Sequence, residues 1–158
     1  DKYRFSHLSG AVLFIPYGAA VDEFQHWVYG NPSASPSERR AAWRGVERRY
    51  LPWRDYDGDG FLENGGFWFR QGHIFEDPFY YIDYTLAQVC AFEFWGRARA
   101  ARDRTMEAYT GLCDRGGSRS FTELLSATGL RNPFAEGAVG ATIGPVAAWL
   151  DSVEDGGL

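Results

Sequence analysis

The chain has 158 residues, with 16 basic and 21 acidic side chains and a formal net charge of −5; 45% of its residues are apolar and 17% aromatic. That apolar share excludes an intrinsically disordered chain, and the acidic balance excludes a dedicated nucleic-acid binder, which would carry a basic face. The length suits one helical region, 1–158, large enough to bury a core.

No basic segment followed by an apolar one opens the chain at Asp1, so no signal peptide is expected. The longest apolar run, Leu8 to Val21, is broken by Ser9, Gly10, Pro16 and Gly18. It falls short of the roughly 20 residues a membrane span needs. Cys90 and Cys113 make no disulfide framework. Together these features point to a cytoplasmic protein that engages neither membrane nor nucleic acid.

The first element is expected over about Tyr3 to Tyr29. Phe5, Leu8, Val12, Ile15, Ala19 and Phe24 recur at helical spacing, and Pro16 predicts a kink or break near Ile15. A second helix has a strong start signal: Ser35 as N-cap, Pro36 at the first position and Glu38 completing a capping box. It should run to about Tyr50, carrying Arg39, Arg40, Arg44, Arg48 and Arg49 on a solvated face. Residues 52–77, rich in Gly, Asp and aromatics, read as one long irregular connection, a feature that is often functional.

Asp77-Pro78 predicts the start of a third helix that reaches about Ala101 and, apolar nearly all round, should be buried. A fourth helix is expected over about Arg104 to Asp114, closed by Gly116-Gly117. A fifth follows Ser120, with Glu123 completing a second capping box, and ends at Gly129. A last one covers about Ala138 to Val153 with a restart at Pro145. The fold class is all-α, with five to six helices.

One motif fails on inspection. Asp55, Asp57, Asp59 and Gly60 match the first half of an EF-hand loop, but the twelfth position, where a bidentate Glu must close the site, is Gly66. A turn built on aspartate hydrogen bonds is the better reading. A calcium-responsive module on these residues is a distant rival.

The informative stretch is Gly72 to Gln88. At 100° per residue Tyr81, Tyr84 and Gln88 share a stripe of about 60° on the third helix, and Tyr80 lies beside Tyr84. His73 precedes the same helix end. Such groups donate hydrogen bonds and suit the stabilisation of a developing oxyanion better than the ligation of a metal. A tyrosine-rich helix is also commonly core.

The block from Gly72 to Trp95, with Tyr84-Thr85-Leu86-Ala87-Gln88 inside it, resembles the oligoendopeptidase F branch of the thimet-oligopeptidase family. The likeness extends to His7-Leu8-Ser9-Gly10, Val21-Asp22-Glu23-Phe24-Gln25-His26, Arg54-Asp55-Tyr56-Asp57-Gly58, Gly65-Gly66-Phe67-Trp68, Asn132-Pro133-Phe134 and Trp149-Leu150-Asp151-Ser152. These are mostly helical zinc metallopeptidases that act on short peptides in a deep cleft. The resemblance implies that Tyr84, Tyr81 and His73 bind the substrate and stabilise the tetrahedral intermediate; the helical stripe adds Tyr80 and Gln88 as further substrate-binding positions. It also implies zinc held by HExxH and a later Glu. The chain contains only His7, His26 and His73, and no HExxH. The expectation is therefore a C-terminal portion of a metallopeptidase that completes its active site with an upstream part of the same protein and is inactive alone. The rival reading is a metal-free helical domain that binds peptides or partner proteins.

Overall fold

A computed structural model describes residues 2–153. Among them the chain forms eight α-helices, one 3₁₀ turn and no strand. The all-α expectation holds. The chain divides into two compact units. One comprises Leu13–Thr85, and the other the residues up to Val12 together with those from Leu86 onward.

The unit 13–85 is built on α1 (Lys2–Gly30), most of which it contains, and α2 (Pro36–Tyr50). The expected break at Ile15 is absent, and α1 continues through Pro16. A proline deletes one backbone donor and not the helix, and Ala20, Val21 and Phe24, all fully buried, anchor the turns that follow it. Helix α2 starts as its residues require. Ser35 accepts from the Glu38 N–H, and the Glu38 carboxylate accepts from the Ser35 N–H.

Phe24 lies edge-on to Trp43 of α2 at 5.3 Å and tilted on Trp68 at 5.1 Å, and Val46 and Ile74 complete this core. Burying that many large rings supplies most of the unit's hydrophobic stabilisation. Where α1 meets the start of α5 (Tyr81–Ala100), Gly18 faces Thr85 so closely that a Cβ would lie 1.9 Å from the threonine hydroxyl. Only glycine permits that approach.

The connection 52–77 is not one irregular stretch. It contains α3 (Gly60–Glu63), the 3₁₀ turn Gly66–Arg70 and α4 (His73–Glu76). Asp59 Oδ1 accepts from the Phe61 and Leu62 N–H groups, and Asp55 Oδ1 accepts from the Asp57 N–H. The aspartates of the EF-hand-like run thus nucleate a turn and cap a helix.

Gly65 adopts φ +84 with the Arg40 carbonyl oxygen 2.0 Å from where a Cβ would sit. Gly65→Ala is therefore expected to cost about 2–4 kcal/mol, the sum of left-handed strain and a backbone clash. A fall in the urea midpoint with an unchanged slope would show it. A midpoint within error of the parent would contradict it.

The expected solvated arginine face of α2 is only partly so. Arg44 is buried, with Nη1 2.9 Å from Glu47 and Nη2 2.7 Å from Glu63. Glu47, fully buried, also accepts from Arg54 Nη1 at 3.2 Å and from the Tyr56 hydroxyl. Burial first, and then the bond to Glu47, hold the Tyr56 phenol far above its ordinary pKa. Arg49 pairs with Glu23 at the surface.

The second unit carries the remainder of α5 with α6 (Arg102–Arg115), α7 (Phe121–Thr128) and α8 (Ala138–Asp151). Local signals set these ends well. Gly116 closes α6 at φ +47, Ser120 and Glu123 box the start of α7, and Gly129 ends it in the left-handed region. Helix α8 passes through Pro145 without the expected restart. Glu93, buried on α5, pairs with Arg97 at 2.6 Å and accepts from the Arg131 N–H at 2.9 Å. Arg97 also donates to the Gly129 carbonyl. The expectation of a helix buried all round fails for α5: Asp83, Tyr84, Ala87 and Ala91 are exposed, and burial is confined to Thr85, Val89, Phe92 and Glu93. Among the described residues, no helix is long and apolar enough to cross a membrane.

Candidate active site

The third helix of the sequence reading begins at Tyr81, not at Asp77-Pro78. The cause is Phe79, which sits at φ +65. A bulky residue in the left-handed region costs on the order of 1–3 kcal/mol and persists only where its surroundings impose it. They do so from α1. Gln25, fully buried, accepts the Phe79 N–H at 2.7 Å, and the Phe79 ring packs on His26 at 5.0 Å and Tyr29 at 5.3 Å. Tyr29 in turn donates to the Ile74 carbonyl at 2.9 Å. Residues 77–80 are thereby folded into a tight turn between α4 and α5.

That turn brings four predicted site residues together. The His73 ring lies 5.1 Å from Tyr81, 5.7 Å from Tyr84 and 6.4 Å from Tyr80, centroid to centroid. Tyr84 lies 5.2 Å from Tyr80 and 5.6 Å from Tyr81. Tyr80 and Tyr84 are open to solvent, at 48% and 41% exposure, while Tyr81 is half-buried against Phe14 and Tyr17. Gln88 is not part of this cluster. It sits one turn beyond Tyr84 on α5, half-buried, in the segment assigned to the other unit.

The electrostatics keep these phenols protonated. Burial, then the neighbouring Tyr84, raises the Tyr81 pKa. The adjacent Tyr80 hydroxyl comes first for Tyr84, followed by desolvation and the charges of Asp77 and Asp83; its pKa too is raised. At neutral pH both are O–H donors. Two phenols and an imidazole on one partly open face can hold a substrate carbonyl and the oxyanion that forms from it.

Two residues that sequence reasoning missed stand behind His73. Gln71 Nε2 lies 2.8 Å from His73 Nδ1, and the Tyr17 hydroxyl donates to Gln71 Oε1 at 2.9 Å. Burial, and next the neighbouring Tyr81, push the Tyr17 phenol up to about 12. The only local hint was a glutamine two residues before a histidine. Tyr17 is distant in sequence and gave none.

These residues do not fit a zinc site. Among the described residues no group of three or more His, Cys, Asp or Glu side chains comes together in a way that could hold a metal. His73 Nδ1 is engaged by Gln71, and His26 pairs with Asp22 at 3.6 Å. Of the thiols, Cys113 is exposed, and Cys90 is half-buried, its pKa raised chiefly by that burial. A groove of about 690 Å³ along α2 and α3, lined by Arg40, Arg44, Arg48, Phe61 and Glu63, shares no residue with the ring cluster.

No family model and no curated protein matches the sequence. Solved structures do. The chain is 60% identical to a structure described as an oligoendopeptidase F, with a TM-score of 0.97, covering 100% of this chain and 28% of that one. It is 56% identical to PZ peptidase A with an inhibitor, at a TM-score of 0.94, covering 98% of this chain and 27% of that one. A structure from Bacillus anthracis str. Ames, also described as an oligoendopeptidase F, matches at 50% identity and a TM-score of 0.80, over 100% of this chain and 25% of that one. The 158 residues thus span about a quarter of each of these peptidase chains, and over that span they are similar in sequence and fold to structures described as oligoendopeptidase F and PZ peptidase.

Proposed function

We propose that this chain is the C-terminal portion of a zinc metallo-oligopeptidase and supplies the hydrogen-bond donors of its active site. The observation that carries the reading is the cluster of His73, Tyr80, Tyr81 and Tyr84 on one partly open face. Kinship with peptidase structures at 50–60% identity supports it. On this reading the zinc ligands and the acid–base carboxylate lie outside these 158 residues.

The part played by this chain is electrostatic. Tyr84 and Tyr81 donate to the oxygen of the attacked carbonyl as it gains negative charge, and the His73 N–H adds a third donor. Tyr80, the most exposed of the phenols, contacts the peptide beside the scissile bond, with Gln88 as a further peptide contact. Donors already oriented in the folded protein need no reorganisation when the charge appears, and that is why they favour the transition state over the substrate.

The Tyr81 and Tyr84 phenols titrate above the ordinary tyrosine range, so an alkaline fall in kcat below that range would belong to another group. The decisive comparison is between the 158-residue chain and the longer protein that contains it, each given the same quenched-fluorescent short peptide. The longer protein should cleave it and lose activity to a zinc chelator, while the chain alone leaves it intact. Cleavage by the chain alone would overturn the division of labour. Peptide bound by the chain and left intact, with no cleavage by the longer protein, would favour a metal-free peptide-binding domain.

A further inference from the structure

We propose that Gln71, oriented by the Tyr17 hydroxyl, fixes His73 as the tautomer protonated at Nε2. The inference rests on the reading of His73 as a donor to substrate. Its geometry is a three-residue relay inside the unit 13–85. The Tyr17 O–H donates to Gln71 Oε1 at 2.9 Å. With the amide oxygen committed, the group facing His73 is the amide nitrogen, 2.8 Å from Nδ1. An NH₂ can only donate, so Nδ1 must accept, and the proton of the neutral ring sits on Nε2.

The relay is well placed to hold that state. Gln71 is buried, 9% exposed, and the Tyr17 ring is locked edge-on against Trp43, Phe67 and Tyr81 at 6.4, 6.1 and 6.0 Å. A phenol with its pKa near 12 remains an O–H donor throughout the working range. Without the relay, a neutral imidazole samples both tautomers, and one of them offers a lone pair where the oxyanion needs a proton. Gln71 and Tyr17 are thus positioning residues: they touch no substrate and act through His73.

The test is ¹⁵N NMR on the chain labelled at histidine, at about pH 8, where an ordinary histidine is neutral. His73 is identified by the signals lost in His73→Gln. The parent should show a pyridine-type Nδ1 and a pyrrole-type Nε2. Gln71→Glu, nearly isosteric, replaces the donor with a carboxylate that only accepts, and should reverse the pair so that Nδ1 carries the proton. Tyr17→Phe keeps the ring and removes only the hydroxyl that orients the amide, so the second tautomer should appear beside the first. It serves where Gln71→Glu fails to fold.

A parent His73 protonated at Nδ1 would overturn the proposal, because the amide would then be turned the other way. Folded Gln71→Glu and Tyr17→Phe chains that both retain the parent tautomer would overturn it as well. In the active longer enzyme, Gln71→Glu is expected to lower kcat about tenfold or more with little change in KM. A reversed tautomer with unchanged kcat would leave the relay standing and remove His73 from the reaction, so the two failures are distinguishable.

Discussion

On the proposed reading, replacing Tyr84 by Phe in a longer peptidase that contains this chain is expected to lower kcat by about 10²–10³ while changing KM only modestly, the usual effect of losing one oxyanion donor. Three features of the site make this variant clean. The Tyr84 ring is held by its neighbours Tyr80, Tyr81 and His73, so phenylalanine keeps the packing and removes only the hydroxyl. The side chain is 41% exposed, so the change leaves no buried polar atom without a partner. Its pKa is raised, so the group lost is an O–H donor and not a phenolate. Steady-state kinetics on one short peptide decide the matter. A kcat within about threefold of the parent would remove Tyr84 from the transition state. A large rise in KM at constant kcat would make it a binding contact instead.

The largest effect on stability is expected at Glu47. Its carboxylate is fully buried and answers Arg44, Arg54 and Tyr56 at once, while Arg44 is shared with Glu63. Removing one member of a buried, hydrogen-bonded charge network leaves the others uncompensated, at about 3–5 kcal/mol. Glu47→Leu should therefore lower Tm on the order of 10 °C in a chain of this size. Glu47→Gln, which keeps an acceptor for Tyr56, should lose less.

The same variant should loosen the connection that follows α2, since the Glu47 carboxylate accepts from both Arg54 and Tyr56. Arg54 also lies over the Phe67 ring at 4.3 Å and the Tyr17 ring at 5.6 Å. Hydrogen exchange of residues 52–59 should accelerate more than that of α2. An unchanged Tm in Glu47→Leu would mean that apolar packing fully replaces the network. Combining it with Arg44→Leu in a double-mutant cycle would then measure what coupling the pair retains.

Helices whose signals lie within four or five residues of their ends were legible in the sequence. Ser35, Pro36 and Glu38 start α2 as expected, and Ser120, Glu123 and Gly129 bound α7, because capping is a local exchange of backbone and side-chain hydrogen bonds. That His73, Tyr80, Tyr81 and Tyr84 would lie together was legible for a similar reason. Tyr81 and Tyr84 are three residues apart on one helix, and Tyr80 and His73 are close in sequence. The aspartates at 55 and 59 were rightly read as turn formers, since an Asx turn needs no distant partner.

Local rules misled wherever a distant group intervened. Asp77-Pro78 has the form of a helix start, yet α5 begins at Tyr81, because a glutamine on α1 takes the Phe79 N–H and holds that residue at positive φ. Pro16 predicted a kink or a break and Pro145 a restart; neither helix is interrupted, since each proline removes a single donor. Arg44 looked like one of several solvated arginines until folding set Glu63 against it.

By itself, then, the sequence determined the helical class, most helix ends and the grouping of the tyrosines at the start of α5, all through contacts within a turn or two of chain. Only the tertiary structure decided where α5 begins, which charges are buried and what stands behind His73. Each of those depends on a partner many residues away in the chain, and no periodicity or capping signal encodes that distance.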